Sequence, residues 1–203
     1  GIIGAPQDID GNGSLDQDVD VFQFTGSVGQ WINVGVQSIG APAPGFKIEG
    51  PNGYERWSTV ATNPNPARQI VLPYDGDYTI TVLPQIAMGE SNGGPYGGDD
   101  WEYVGTVEQI DAPSPQSIDL SGGGSQTLSG SLFQLTDNVF TVNGLEQNDL
   151  VTLAEQVAPE DAVPVLQVWS DLSTFSEEFD LAGEAEFVSP GSSAVIVVDW
   201  KRA

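Results

Sequence analysis

The chain of 203 residues contains no cysteine and no histidine, and only five of its residues are Lys or Arg. Without Cys there is no disulfide framework, thiolate nucleophile, iron–sulfur cluster or structural Cys zinc site. Without His there is no Ser-His-Asp or Cys-His machinery, no HExxH zinc site and no imidazole general base. The five cations, Lys47, Arg56, Arg68, Lys201 and Arg202, face 29 acids and leave a formal net charge of −24. Holding phosphates takes clustered Lys and Arg, so nucleic acid is not expected as a partner, and anionic membrane surfaces are disfavoured for the same reason. No run reaches the ~20 apolar residues of a membrane span, so no membrane insertion is expected. The chain opens at Gly1 with neither Met nor a charged leader region, which reads as a mature or excised fragment.

What is present is carboxylates, hydroxyls, aromatics and backbone, a set suited to hard cations, sugars or protein surfaces. Apolar residues at 39% and charged residues at 17% are the proportions of a chain that folds around a core. The 25 Gly and 14 Pro are spread as punctuation between short runs rich in Val, Ile, Thr, Phe and Trp. In the first half these runs are Val19–Phe24, Trp31–Val36, Phe46–Glu49, Gln69–Leu72, Tyr78–Leu83 and Trp101–Val107. In the second they are Gln126–Leu128, Val139–Val142, Leu150–Ala154, Val165–Trp169, Ala185–Val188 and Ala194–Trp200. Such spacing predicts antiparallel strands joined by turns. No long window holds a helical period; the best candidate, Leu145–Pro159, contains the strand-like Leu-Val-Thr-Leu and ends at a proline. Phe22, Phe24, Trp31 and Phe140 are expected in the core.

The two halves repeat. Phe22–Gly26 aligns with Phe140–Gly144, Trp31–Val34 with Leu150–Leu153, Phe46–Glu49 with Leu166–Trp169, and Gly76–Val82 with Gly191–Val197. Four matches in one order, each with its flanking turn, point to two tandem domains. The expected boundaries are residues 1–110, a Pro-rich connector at 111–116 and a second domain at 117–203. Each half is about 100 residues, the size of a small two-sheet sandwich. The fold class expected is therefore all-β, two tandem antiparallel β-sandwich (jelly-roll-like) domains.

The order of motifs adds a resemblance. Asp18, Asp20, Phe22, Phe24 and Gly26 come first, then the turn Gly50-Pro51-Asn52-Gly53, then Gly76-Asp77-Tyr78-Thr79-Ile80-Thr81-Val82. In this order the chain resembles the bacterial pre-peptidase C-terminal domain over residues 8–108, and more weakly over 117–203, where the Pro-Asn-Gly turn is absent and Ala194 takes the place of the Tyr. The resemblance implies a jelly-roll-like β-sandwich that serves as a non-catalytic accessory domain of an exported bacterial protein, secreted or at the cell surface. Domains of that family follow the catalytic domains of secreted peptidases and also occur in many cell-surface proteins, so the resemblance leaves open whether a catalytic domain lies upstream in the full-length chain; it implies either calcium binding or the binding of an extracellular protein or polysaccharide.

The densest cluster of candidate ligands is Asp8, Asp10, Asn12, Ser14, Asp16, Asp18 and Asp20. Oxygen side chains at alternate positions, with Gly13 at the sixth place for a sharp turn, suit Ca²⁺, which wants six to eight oxygens at about 2.3–2.6 Å. Asp8, Asp10, Asn12, Gly13, Ser14 and Asp16 fit the opening of a calcium loop, but Val19 stands where its bidentate Glu belongs. Asp18 or Asp20 would supply that ligand, unless both face solvent along a strand. The competing reading is a solvated acidic segment. The loop at 87–100, with Glu90, Asp99 and Asp100, reads either as a second cation site or binding lip, or as a Gly-rich mobile stretch.

Aromatics offer the other binding surface. Tyr54 and Trp57 follow the Gly-Pro-Asn-Gly turn, and Tyr96, Trp101 and Tyr103 flank the loop at 87–100, with core packing the alternative for Trp101 and Tyr103. Such rings stack on sugars or pack on extended peptides. Trp57, between Arg56 and Ser58, is the best exposed candidate. No pair of acids is marked out as the two carboxylates of a glycosidase, Glu177-Glu178 reads as part of a solvated polar loop, and no enzyme is expected. The expected function is a non-catalytic, calcium-stabilised binding module, with a structural or adhesive surface spacer as the alternative.

Overall fold

The computed structural model describes residues 2–3, 20–39, 45–58, 67–83, 101–123, 138–154, 162–181 and 183–202. Among them there is no α-helix, and a 3-10 turn at Pro51–Gly53 is the one helical element. Everything else regular is strand. In the first half these are β1 (Ile2–Ile3), β2 (Asp20–Gly26), β3 (Trp31–Ile39), β4 (Gly45–Glu49), β5 (Glu55–Ser58), β6 (Arg68–Val71), β7 (Gly76–Leu83) and β8 (Trp101–Ile110). The second half has β9 (Gln116–Asp119), β10 (Asn138–Asn143), β11 (Leu150–Ala154), β12 (Ala162–Asp171), β13 (Thr174–Asp180), β14 (Glu184–Val188) and β15 (Ser193–Arg202).

The chain divides into two compact units: Gly1–Thr25, Asn33–Arg68 and Gly76–Glu108 make the first, and Gly26–Ile32, Gln69–Asp75 and Gln109–Ala203 the second. The short segments 26–32 and 69–75 thus belong with the second half of the sequence. Their residues explain why: Trp31 and Val71 are buried in one cluster with Val139, Trp169, Val195 and Val197.

The repeat is visible in strand order. The first unit holds a sheet ordered β2-β7-β4-β5 and the second a sheet ordered β13-β12-β15-β10-β9. Read from the other edge, β5-β4-β7-β2 follows the same order as β13-β12-β15-β10, with aligned sequence blocks on β2 and β10, β4 and β12, and β7 and β15. Likewise β3 neighbours β6 as β11 neighbours β14. Register corrects the alignment of the last block by one residue. Phe46 faces Val82 and Leu166 faces Val198, so Ile80 corresponds to Ile196 and Tyr78 to Ala194. An extra residue in the turn before β15 absorbs the difference; a one-residue slip within the strand would turn every side chain to the opposite face.

In the second unit β15 lies between β12 and β10, antiparallel to both. Phe140, Val142, Leu166, Val168, Ala194 and Ile196 pack with Phe187 of β14 and half-buried Val151 and Leu153 of β11. Because β15 is central and buried on both faces, it reads as the continuous apolar run Ala194–Val198. Four strands, β1, β5, β9 and β13, lie outside the runs that the sequence pattern marks, and the expected run Gln126–Leu128 lies outside the described residues. β9 pairs parallel with β10, with only Ile118 and Leu120 as its apolar contribution. β13 is an edge strand hairpinned to β12, so Glu177-Glu178 lies in a strand and not in a loop. Glu178 is half-buried, and its Oε2 accepts a hydrogen bond from Gln167 Nε2 at 2.9 Å. An edge strand needs apolar residues on one face alone, and the bulges beside Trp169 break the alternation further.

Candidate functional site

The outer face of the β4–β5 hairpin is built by register. Phe46 and Ile48 of β4 are fully buried, which turns Lys47 and Glu49 outward. β5 lies antiparallel, with Lys47 opposite Trp57 and Glu49 opposite Glu55. On the other side β7 sets Thr81 opposite Lys47 and Thr79 opposite Glu49. Trp57, Glu55, Lys47, Glu49, Thr79 and Thr81 therefore share one face.

The turn between these strands fixes that register. Gly50 N donates to Tyr54 O at 2.9 Å and Tyr54 N to Pro51 O at 3.1 Å. Asn52 and Gly53 hold positive φ of 57° and 77°, the left-handed region that Asn and Gly tolerate best. Gly50 is needed for another reason: a Cβ there would lie 2.3 Å from the ring of Tyr78.

On the outer face the charges are tied together. Lys47 Nζ lies 2.7 Å from Glu49 Oε1 and 2.9 Å from Glu55 Oε2. The other Glu55 oxygen accepts from Trp57 Nε1 at 2.5 Å. The Lys47 ammonium also sits 5.2 Å from the centre of the Trp57 ring, close enough for a cation–π attraction. Burial pulls the Lys47 pKa down, but the hydrogen bonds that Lys47 donates to Glu49 and Glu55 and the charge of those carboxylates outweigh it and carry it above the ordinary lysine value. Trp57 is half-buried, and its indole is locked by partners on two sides. β5 is the edge of its sheet, so no strand flanks Trp57 opposite Lys47 among the described residues. The result is a rigid aromatic plane beside two carboxylates and two threonine hydroxyls.

Tyr54 does not join this surface, contrary to expectation. It is 3% exposed, its ring edge-on to Tyr78 with centroids 5.7 Å apart and the Arg56 guanidinium 4.6 Å from its centre. Arg56 and Arg68 are buried too. Arg56 Nη1 donates to the Glu55 carbonyl at 2.8 Å, and Arg68 Nη1 donates to the Trp57 carbonyl. Both guanidiniums thus brace the backbone of β5 from beneath. The residues that the sequence reading missed are Lys47, Glu49 and Glu55; their alternation across the Gly-Pro-Asn-Gly turn was the available signal.

Tyr96 lies outside the described residues, as do Asp8, Asp10, Asn12, Ser14, Asp16 and Asp18 and the loop at 87–100. Trp101 opens β8, where its backbone pairs with Ile3. Asp20 of β2 is half-buried, and its Oδ2 accepts a hydrogen bond from Tyr103 Oη at 2.6 Å. Among the described residues no three or more acids are grouped to hold a metal ion. No helix among them is long and apolar enough to cross a membrane.

Phe22 also departs from the core assignment, at 47% exposed. It lines a cleft of about 220 Å³ in the first unit with Val34, Val36, Ile80, Val82 and Val107. Val34 and Val36 belong to β3, Ile80 and Val82 to β7, so the cleft marks where the two sheets of this unit face each other.

No family model matches the chain, and no curated protein matches it. Among solved structures it aligns with the CUB1-EGF-CUB2 domain of human MASP-1/3 at 12% identity and a TM-score of 0.26, over 100% of this chain and 94% of that one. A superposition that loose assigns neither fold nor function.

Proposed function

We propose that the chain is a non-catalytic binding module of a secreted or cell-surface bacterial protein, and that the outer face of β4–β5 takes a polysaccharide. The observation that carries this reading is the locked indole of Trp57, held by Glu55 and flanked by Lys47 on an edge strand. An aromatic plane whose rotamer is already fixed loses little entropy on stacking against a sugar ring. Glu49, Glu55, Thr79 and Thr81 supply hydrogen-bonding groups for its hydroxyls. The resemblance of residues 8–108 to the pre-peptidase C-terminal domain supports an accessory role beside a catalytic domain. Calcium belongs to the same reading: it rests on the sequence spacing at 8–18, with Asp20 as the one described member.

Affinity electrophoresis in gels containing soluble neutral polysaccharides tests the proposal. Retardation that is lost in Trp57→Ala, with the melting temperature nearly unchanged, is expected. Equal mobility of the wild type with and without every polysaccharide would leave the spacer reading in its place.

A further inference from the structure

Resting on the polysaccharide reading of the β4–β5 face, we infer that its ligand is an amine-bearing polysaccharide, whose ammonium is taken by Glu49 and Glu55 while a sugar ring stacks on Trp57. Acidic polysaccharides are refused by the same face. The charges there do not cancel: Lys47 stands alone against the two carboxylates of Glu49 and Glu55. The lysine is also spent within the cluster. Its Nζ reaches Glu49 Oε1 at 2.7 Å and Glu55 Oε2 at 2.9 Å and lies against the Trp57 ring, and its side chain, 20% exposed, is more covered than either carboxylate. Glu49 is held through Oε1 alone, and its Oε2 accepts no hydrogen bond among the described residues.

The other cations of this region offer an anionic ligand nothing. Arg56 and Arg68 are buried and donate to the backbone of β5, at the Glu55 and Trp57 carbonyls. Lys201 and Arg202 belong to β15 of the second unit. A uronate or sulfate stacked on Trp57 would therefore bring its charge against two carboxylates with no cation left to receive it.

Register sets the reach. Trp57 lies opposite Lys47 and Glu55 opposite Glu49, so Glu49 is the diagonal neighbour of Trp57, about 7–8 Å away across the strand pair. A ring stacked on the indole carries its own amine, or that of the next sugar, over the Glu55–Glu49 row. There an ammonium adds the attraction of opposite charges to the hydrogen bond that a neutral hydroxyl would make. The indole face favours a cation as well.

The test is isothermal titration calorimetry on the full chain, at a mildly acidic pH that keeps sugar amines protonated. Salt of about 0.15 M screens charges beyond about 8 Å, which mutes the acids elsewhere on the surface. The probes are a glucosamine hexasaccharide, its fully N-acetylated counterpart and a galacturonate hexasaccharide. The glucosamine form is expected to bind about tenfold tighter than the acetylated one, and the galacturonate form not measurably. Glu49→Gln removes a carboxylate and releases Lys47, so the ratio of the first two affinities falls to near one. Glu146→Gln, at an exposed acid of the second unit, keeps that ratio. Equal affinity of the wild type for the glucosamine and acetylated forms, lost in Trp57→Ala, overturns the amine preference and leaves the polysaccharide reading standing. A preference that survives Glu49→Gln overturns it too, because attraction to the overall negative charge would then be its source. Galacturonate bound as tightly as glucosamine overturns it, as does no binding of the glucosamine form, whatever the gels with neutral polysaccharides show.

Discussion

Tyr103 and Asp20 are 83 positions apart, yet the Tyr103 hydroxyl donates to Asp20 Oδ2 at 2.6 Å. Tyr103 belongs to β8 and Asp20 to β2, strands of the two different sheets of the first unit. Their hydrogen bond ties one sheet to the other beside the apolar cleft. Tyr103 is buried at 3% exposure, so little water competes for its hydroxyl. Tyr103→Phe is expected to lower stability by about 1.5 kcal/mol, the worth of a hydrogen bond to a charged acceptor. Urea unfolding reads the change; a loss near zero would mean that the bond contributes nothing net.

The turn glycines separate steric from conformational demands. Gly50→Ala places a methyl 2.3 Å from the Tyr78 ring, and Tyr78 is fully buried and stacked on Phe24 at 5.4 Å. The ring has little room to yield, so a loss of about 3 kcal/mol or more is expected. Gly53→Ala meets nothing within 4 Å and is expected to cost only about 1 kcal/mol, for its left-handed backbone. Equal losses at the two sites would contradict the assignment.

Lys47 sets an alkaline limit on the β4–β5 face. Its pKa is raised on folding above 10.5, so its ion pairs contribute in full below the unfolded value and are lost as pH rises through the folded one. Its partners Glu49 and Glu55 are 48% and 41% exposed, so solvent screening keeps the effect small. Unfolding midpoints of the wild type are expected to fall more steeply above about pH 10.5 than those of Lys47→Met. Parallel curves would show that the ion pairs carry no net stability.

Calcium binding by residues 8–18 has a direct thermal test. If that segment coordinates the ion, the melting temperature rises in millimolar calcium and falls back with EDTA, by mass action. Asp10→Asn together with Asp16→Asn removes the response. A melt indifferent to calcium removes the site.

Much of the fold is legible in the sequence because strand periodicity is local. The alternation in Phe46-Lys-Ile-Glu49 already implies which side chains go in and which go out, and β4 places Phe46 and Ile48 in the core. The candidate site is legible only in part. Trp57 is visible as an aromatic in a polar run, but Tyr54, three residues earlier and offered for the same surface, is buried. The difference is parity: Trp57 faces Lys47 across the hairpin, whereas Tyr54 ends the turn and folds under it against Tyr78.

Composition and pattern alone determined that this chain is built of strands in two repeated sets, and that chemistry dependent on thiolate or imidazole is closed to it. Those properties follow from residue identities and from spacing within a few positions. Tertiary structure decided which cations are buried beneath β5, which of Tyr54 and Trp57 shares a face with Lys47, and that Trp31 and Val71 serve the core of the second unit. Each of these depends on pairing or packing between different strands, and a linear pattern carries no record of which strands become neighbours.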